Sequence, residues 1–249
     1  IPLSEFRRIH GNDERINMNN NFLLNSKVYK KIIKIADKYN FNKFDLITNY
    51  GLFSGDTNLF KTLTIHELLK RTKNVKGDII EFGIWRGNTS LLIKKIIDIY
   101  NIKKKLIMFD HFKGLQHFEI KDGKKSQKFK GTYVGNKKII KEFLNFFKFK
   151  NIKIIDKDAT TLNKNYFKGQ KFSMIIIDVD LYEPTLKILN SLKNNIQKNG
   201  LIIFDEGNTK LMPGEGIALK EFLAQNKKNF KLEKIRFARQ PDIILKKII

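Results

Sequence analysis

The acidic residues best placed to do chemistry stand at the ends of apolar runs. In "IIIDVDLYEP", Ile175 to Pro184, a run of isoleucines closes on two carboxylates, Asp178 and Asp180. In "LIIFDEGN" a second run closes on Asp205 and Glu206. If the two runs are neighbouring parallel strands, Asp178, Asp205 and Glu206 come together at their carboxyl ends, where open α/β sheets bind ligands. Three carboxylates in one place repel and raise one another's pKa. A hard divalent cation resolves that conflict, and oxygen-only ligation without Cys or His suits Mg²⁺, Mn²⁺ or Ca²⁺. The alternative is ion pairing to nearby lysines such as Lys210.

A second group of residues suits a nucleoside. In "GDIIEFGIWRGNTS", a strand ends near Glu81, Gly83 and Gly87 bracket a tight turn, and Asn88, Thr89 and Ser90 open a helix. Glycines let the backbone approach a ligand, and a helix N-terminus offers unpaired N–H groups. The spacing is not G-x-G-x-x-G, which argues against a dinucleotide pyrophosphate site. Asp110 ends "LIMFD", and an acid there can accept hydrogen bonds from both ribose hydroxyls. Asp158, in "IIDKDATTL", is placed to address an adenine amino group, with Ala159 leaving room for the ring. The alternative for either acid is a solvated loop position.

These residues need an alternation of strands and helices to hold them. Short apolar runs predict strands at Ile79–Phe82, Leu106–Phe109, Ile152–Ile155, Met174–Ile177 and Leu201–Phe204. Helical spacing falls between them, at Ser90–Tyr100, Lys137–Phe147, Pro184–Asn195 and, after the fifth strand, Ile217–Ala224. The run before Asp178 reads as a strand buried on both faces, and Pro184 suits the first position of the next helix. Five strands alternating with helices imply a parallel doubly wound sheet. Phe230–Phe237 and Asp242–Lys246, joined by a turn containing Gln240 and Pro241, add an antiparallel hairpin at its edge. The first seventy-odd residues carry helical patterns without a strand. Ser26 is a candidate cap for a helix through Val28, Ile32, Ile33 and Ile35, Asn40 to Asp56 reads as loop, and Leu63–Arg71 fits a helix burying Leu68 and Leu69.

Composition narrows the function classes. A chain of 249 residues that is 41% hydrophobic can build a real core and suits one domain with an appendage. The absence of cysteine excludes disulfides and thiolate metal sites, fits a reducing compartment, and points to a cytoplasmic location. No apolar run approaches the length of a bilayer span, which predicts a soluble protein with no membrane partner. The net charge of +24 invites a nucleic-acid reading, but only seven of the 49 basic residues are arginine. The lysines are scattered among Ile, Asn and Phe along the whole chain, whereas nucleic-acid readers cluster guanidinium charge. No nucleic-acid partner is expected.

Taken together, "GDIIEFGIWRGNTS", "FDHFKGL", "IIIDVDLYEPTLKILNSL", "NGLIIFDEGN" and "PGEGIALKEF" occur in the order seen in the TylF/MycF-like macrocin O-methyltransferases, and the chain resembles that family over about residues 45–245. The resemblance implies an α/β fold with the class I methyltransferase Rossmann-like sheet of seven strands, the last antiparallel. An N-terminal helical cap over residues 1–74 would precede a methyltransferase domain over 75–249. It implies transfer of a methyl group from S-adenosylmethionine to a sugar hydroxyl, assisted by Mg²⁺ or Mn²⁺. Glu81, Gly83, Gly87, Asn88, Thr89 and Ser90 would line the methionine and ribose side. Asp110 and His111 would face ribose, and Asp158 with Ala159 the adenine. Asp178, Asp205 and Glu206 would ligate the metal, with Asp178 between cofactor and metal and also taking the proton.

The sequence departs from the family pattern in three places: "DVDLY" stands for "DGDLY", Asp205-Glu206 for an Asp-Asp pair, and "FDHFKGLQ" for "FDTFEGLP". The loop that would choose the acceptor, around His117 to Val134, has no secure match to the family pattern. The expected partners are a sugar or nucleotide-sugar acceptor and further copies of the chain in a homo-oligomer. The rival readings are a catechol-type methyltransferase and a basic RNA-binding or RNA-modifying protein.

Overall fold

The computed structural model describes residues 30–53, 56–235 and 240–249. The apolar runs become the seven strands of one sheet: β1 Asp78–Phe82, β2 Leu106–Asp110, β3 Ile152–Asp156, β4 Phe172–Ile177, β5 Ile196–Phe204, β6 Phe230–Lys234 and β7 Ile243–Lys247. Their spatial order is β3-β2-β1-β4-β5-β7-β6. β1 to β5 run parallel, and β7 lies antiparallel between β5 and β6. The closing hairpin therefore inserts its second strand into the sheet and leaves β6 at the edge. β6 reads "FKLEK", and charged side chains of this kind protect an open edge from pairing.

α1 over residues 30–38, α2 Lys43–Thr48 and α3 Tyr50–Phe53 come first in the chain; α4 Asp56–Thr72, α5 Asn88–Ile99, α6 Lys137–Phe146, α7 Tyr182–Leu192 and α8 Gly214–Asn226 cover the two faces of the sheet. Successive strand residues point to opposite faces, and the core divides accordingly. Ile80, Phe82, Ile175, Ile177, Ile202 and Phe204 pack with α7 and α8. Ile79, Met174, Ile176, Leu201 and Ile203 pack with α4 and α5 on the other side. β4 is buried along its whole length, as its Ile-rich run predicts. Each isoleucine so enclosed contributes about 1.5–3 kcal/mol of burial.

Four local expectations are corrected. The segment read as loop from Asn40 holds α2 and α3, because the Asn42 side chain accepts from the amides of Phe44 and Asp45 while Asp45 reaches back to the Asn42 amide. That reciprocal cap stabilises a short helix that hydrophobic periodicity does not reveal. α7 begins at Tyr182, so Pro184 occupies its third position rather than its first. The ring is tolerated there because the first-turn amides have no intrahelical partner. β5 starts at Ile196, five residues early, through a register irregularity opposite Phe172 and Met174. α8 starts at Gly214 rather than Ile217. The proposed Ser26 cap lies outside the described residues. α4 buries Leu68 and Leu69 as expected, together with Ile65.

Candidate active site

Register decides which carboxylates meet. Ile177 of β4 pairs with Phe204 of β5, so Asp178 and Asp205 leave the sheet side by side, and the Asp205 amide donates to the Ile177 carbonyl at 3.0 Å. Phe82 of β1 pairs with Ile177, and the Asp178 amide donates to the Phe82 carbonyl at 2.9 Å. Gly83 follows at the same level with φ +86°, and a Cβ there would stand 1.7 Å from the Asp178 carbonyl oxygen. No side chain fits where these strand ends close on each other. Gly87, at φ +83°, caps α5 without a side-chain hydrogen bond, and its missing Cβ leaves room for Ile140 of α6.

A cavity of about 370 Å³ opens at these strand ends. Glu81, Gly83, Asn88 and Thr89 line it from β1 and the start of α5. Asp110, His111, Asp158 and Ala159 line it from β2 and β3. Asp178, Asp180, Asp205 and Glu206 line it from β4 and β5. Of the residues singled out in the sequence, Gly87 and Ser90 do not reach the wall. Ser90 instead donates its hydroxyl to Glu81 from beneath. Glu81 is 2% exposed. Burial pushes its pKa up to about 7, against the opposing pull of the Ser90 hydroxyl and of Lys61.

The two nucleoside candidates are held by the protein itself. Asp110 Oδ2 accepts from the amides of Ile84 and Trp85 at 2.6 and 3.0 Å, and Oδ1 accepts from the Phe112 amide at 2.6 Å. Three of its roughly four acceptor sites thus clamp the glycine turn of β1 to the end of β2. His111 Nδ1 accepts from the Lys113 amide at 2.9 Å, a turn contact that a hydroxyl could equally make. Asp158 Oδ1 accepts from the Thr160 amide and hydroxyl, both at 2.8 Å, and Oδ2 lies 2.6 Å from His117 Nε2. Burial would raise the Asp158 pKa, but the Thr160 bonds and His117 outweigh it and hold the carboxyl below its usual range.

At the other end the carboxylates crowd. Burial and then Asp205 lift the Asp178 pKa well above the ordinary range, with Lys61 opposing. Asp180, in left-handed backbone at φ +62°, is raised by burial and by Asp205 to about 7. The lysine that arrives is not Lys210, which is exposed, but Lys61 of α4. Its Nζ lies 3.0 Å from Asp205 Oδ1 and 3.6 Å from Asp178 Oδ2. Glu206, expected as the third metal ligand, is 1% exposed, and its Oε1 accepts from the Gln240 amide nitrogen. Its backbone N–H donates to Glu215 Oε1 at 2.8 Å. Among the described residues, no three His, Asp or Glu side chains converge in a way that could hold a metal ion. Glu215 is fully buried, and burial raises its carboxyl well above the usual value.

Sequence reasoning missed Lys61 and gave Asp180 no role. Lys61 had a readable signal. Positions 61, 65, 68 and 69 share one helical face, so a lysine stands in line with the buried Ile65, Leu68 and Leu69. His117, at the start of the loop expected to choose the acceptor, pairs with Asp158 across 41 residues. Trp85 is a lining residue 40% exposed, with its ring edge-on to Tyr133, while Tyr182 is buried and hydrogen-bonded to Glu221.

The family model for macrocin-O-methyltransferase (TylF) matches residues 60–238. The chain belongs to this family. A curated relative, the demethyldecarbamoylnovobiocin O-methyltransferase of Streptomyces niveus, is 25% identical over 151 residues, 53% of this chain and 53% of the relative. The chain therefore spans about half the length of the curated relative it matches. Among solved structures, the calicheamicin methyltransferase CalS11 is similar with a TM-score of 0.76 at 20% identity, over 89% of this chain and 91% of that one. The O-methyltransferase NovP gives 0.65 at 17% identity, over 77% and 81%. These likenesses show the fold: the seven-stranded class I methyltransferase sheet with its reversed strand. No helix among the described residues is long and apolar enough to cross a membrane.

Proposed function

We propose that this chain transfers a methyl group from S-adenosylmethionine to a sugar hydroxyl, on a nucleotide-linked deoxysugar or a related glycoside. The observation that carries the reading is the cavity of a macrocin-O-methyltransferase family member that runs continuously from the glycine turn and the start of α5 to the carboxylates of β4 and β5. The curated relative is an O-methyltransferase of demethyldecarbamoylnovobiocin, and the CalS11 structure is described as a TDP-rhamnose 3′-O-methyltransferase. The TDP-rhamnose name supports a sugar acceptor.

On the cofactor side, the first-turn amides of α5 at Asn88 and Thr89 and the carboxylate of Glu81 suit the methionine portion. Asp110 has one acceptor site beyond its three backbone bonds for a ribose hydroxyl, and Asp158 with Ala159 suits the adenine edge. We assign exclusion of water to the expected cap of residues 1–74 and the transfer to residues 75–249. α4 contributes Lys61 to the wall from the cap side.

The expected Mg²⁺ does not fit the donor set as it stands. The Lys61 ammonium lies between Asp205 and Asp178, and Glu206 turns its Oε1 to the Gln240 amide nitrogen. The transfer follows instead from the chain's own groups. The methyl carbon moves in line from sulfur to the acceptor oxygen, the sulfur keeps the bonding pair and becomes a neutral thioether, and the hydroxyl proton must leave. Asp178, assigned that proton from the sequence, is engaged with Lys61. We assign it to Asp180, which lines the same wall and makes no ion pair with Lys61 among the described contacts. Asp178 then positions Lys61 and the sulfonium end of the cofactor.

Calorimetry with S-adenosylhomocysteine, followed by labelled transfer into a panel of nucleotide sugars, catechols and total RNA, tests the reading. Binding of the nucleoside and label in sugar are expected. Binding of NAD with no response to either form of the cofactor would sink the methyltransferase reading, and label confined to catechol or to RNA would replace the acceptor class. Asp180→Asn should lower kcat by about 10²–10⁴-fold, the usual scale of a general base, with cofactor affinity held within about twofold.

A further inference from the structure

Three carboxylates, Asp178, Asp180 and Asp205, share the β4–β5 end of the cavity, and the positive charge beside them comes from the chain itself. The Lys61 ammonium is 3.0 Å from Asp205 and 3.6 Å from Asp178. A divalent ion bridging those two carboxylates would sit about 2.0–2.6 Å from their oxygens, in the volume that this nitrogen fills. The lysine is built in rather than draped over the surface. Its side chain is 21% exposed, and the same helical face is anchored by Ile65, Leu68 and Leu69 at 1–2% exposure. Glu206, the expected third ligand, is buried, with its Oε1 accepting from the Gln240 amide nitrogen and its backbone N–H donating to Glu215.

We propose that Lys61 is the resident cation of this site, standing where a divalent metal would otherwise be needed, so that methyl transfer runs without a metal ion. The proposal rests on the methyltransferase reading above. An ammonium carries three N–H donors; Asp205 at 3.0 Å is within hydrogen-bond reach of one, while Asp178 at 3.6 Å is an ion-pair contact. A further N–H can serve an oxygen in the cavity that Lys61 lines. As the C–S bond breaks and the C–O bond forms, the acceptor oxygen passes its proton to Asp180. The N–H of Lys61 steadies the negative charge that builds on that oxygen. A monovalent ammonium fixed on α4 does this at any free metal concentration, and it holds Asp178 and Asp205 in place between turnovers.

The test uses the full chain stripped with chelator, Mn²⁺ as probe, and three readouts: the Mn²⁺ resonance spectrum, the melting temperature, and labelled methyl transfer. Wild type should show no stoichiometric Mn²⁺ site, no melting shift with Mn²⁺, and unchanged transfer in chelator. Lys61→Ala should gain one Mn²⁺ per chain and a Mn²⁺-dependent rise in melting temperature, whereas Lys61→Arg should gain neither. One Mn²⁺ bound per wild-type chain, or wild-type transfer abolished by chelator and restored by Mn²⁺, overturns the proposal. So does Lys61→Ala that folds and binds no Mn²⁺. If Lys61→Ala does not fold, the wild-type titration decides alone. Calorimetry with S-adenosylhomocysteine, run on the same stripped protein, separates this outcome from failure of the methyltransferase reading. Nucleoside binding alongside a tight wild-type Mn²⁺ site refutes only the lysine.

Discussion

Glu81, Asp110 and Asp158, at the β1–β3 end of the cavity, take most of their hydrogen bonds from the turns around them. Ser90 serves Glu81, the Ile84, Trp85 and Phe112 amides serve Asp110, and Thr160 serves Asp158. At the β4–β5 end, Asp178 and Asp205 share one ammonium brought by a helix more than a hundred residues earlier in the chain. The first arrangement is closed by donors from the turns and helix starts that follow neighbouring strands. The second depends on the placing of a whole helix on the sheet. On the function proposed above, this difference separates binding from chemistry: satisfied acids give a rigid wall for a nucleoside, and crowded acids with one shared cation retain electrostatic tension that a transfer step can use.

The strongest way to break this division is at its seam. Gly83→Ala puts a methyl group 1.7 Å from the Asp178 carbonyl oxygen at a φ of +86°. Since nothing but backbone stands in the way, the strand ends must part. We expect a loss of more than about 3 kcal/mol, the upper range of single-site effects, read as a collapsed urea midpoint together with lost nucleoside binding. A melting curve like that of wild type would show that the two ends are not mechanically joined.

Asp110→Ala tests the local end by itself. It strands three amides, and hydrogen bonds to a charged group contribute about 1.5–3 kcal/mol, so stability and affinity for S-adenosylhomocysteine should both fall by that order. Asp110→Asn, which keeps an acceptor, should recover part of the stability. If affinity falls while the urea midpoint does not move, Asp110 serves the ribose rather than the turn.

A third measurement uses pH. The folded chain raises Glu81 from its usual 4.5 to about 7, so it binds a proton more tightly than the unfolded chain. Stability from this group is fully present below pH 4.5 and is lost as pH rises through about 7. Glu81→Gln should remove roughly 1–2 kcal/mol of the stability difference between pH 5.5 and 8, at about 1.4 kcal/mol per pH interval. An unchanged stability profile in the variant would mean that Glu81 is ionised in the fold throughout that range.

The smallest effect is expected at His117, whose partner Asp158 already accepts two bonds from Thr160. The pair is partly exposed, with the histidine side chain 43% accessible, and exposed ion pairs contribute about 0.2–1 kcal/mol. His117→Ala should therefore shift the melting temperature only slightly. A larger change in the acceptor KM than in stability would place the loop around His117 in acceptor choice.

Much of this molecule was legible in its sequence, and the reason lies in range. Alternating or continuous apolar runs over four to six residues gave β1 to β5, because backbone pleating has a period of two and a buried strand has no polar face to show. The acids at strand ends were visible because the chain itself carries each one out of the sheet. The capping of α2 by Asn42 and Asp45 was equally local but lay in polar residues, so an apolar pattern could not reveal it. Tertiary structure decided what those acids meet. Sequence spacing placed Asp178, Asp205 and Glu206 together and left open whether a metal ion or a lysine would answer them. The closing strand β7 sits beside β5, so that Gln240 meets Glu206, and the packing of α4 on the sheet carries Lys61 to Asp178 and Asp205. A charge neutralised across a hundred residues obeys the geometry of helix on sheet, and no local pattern encodes that distance.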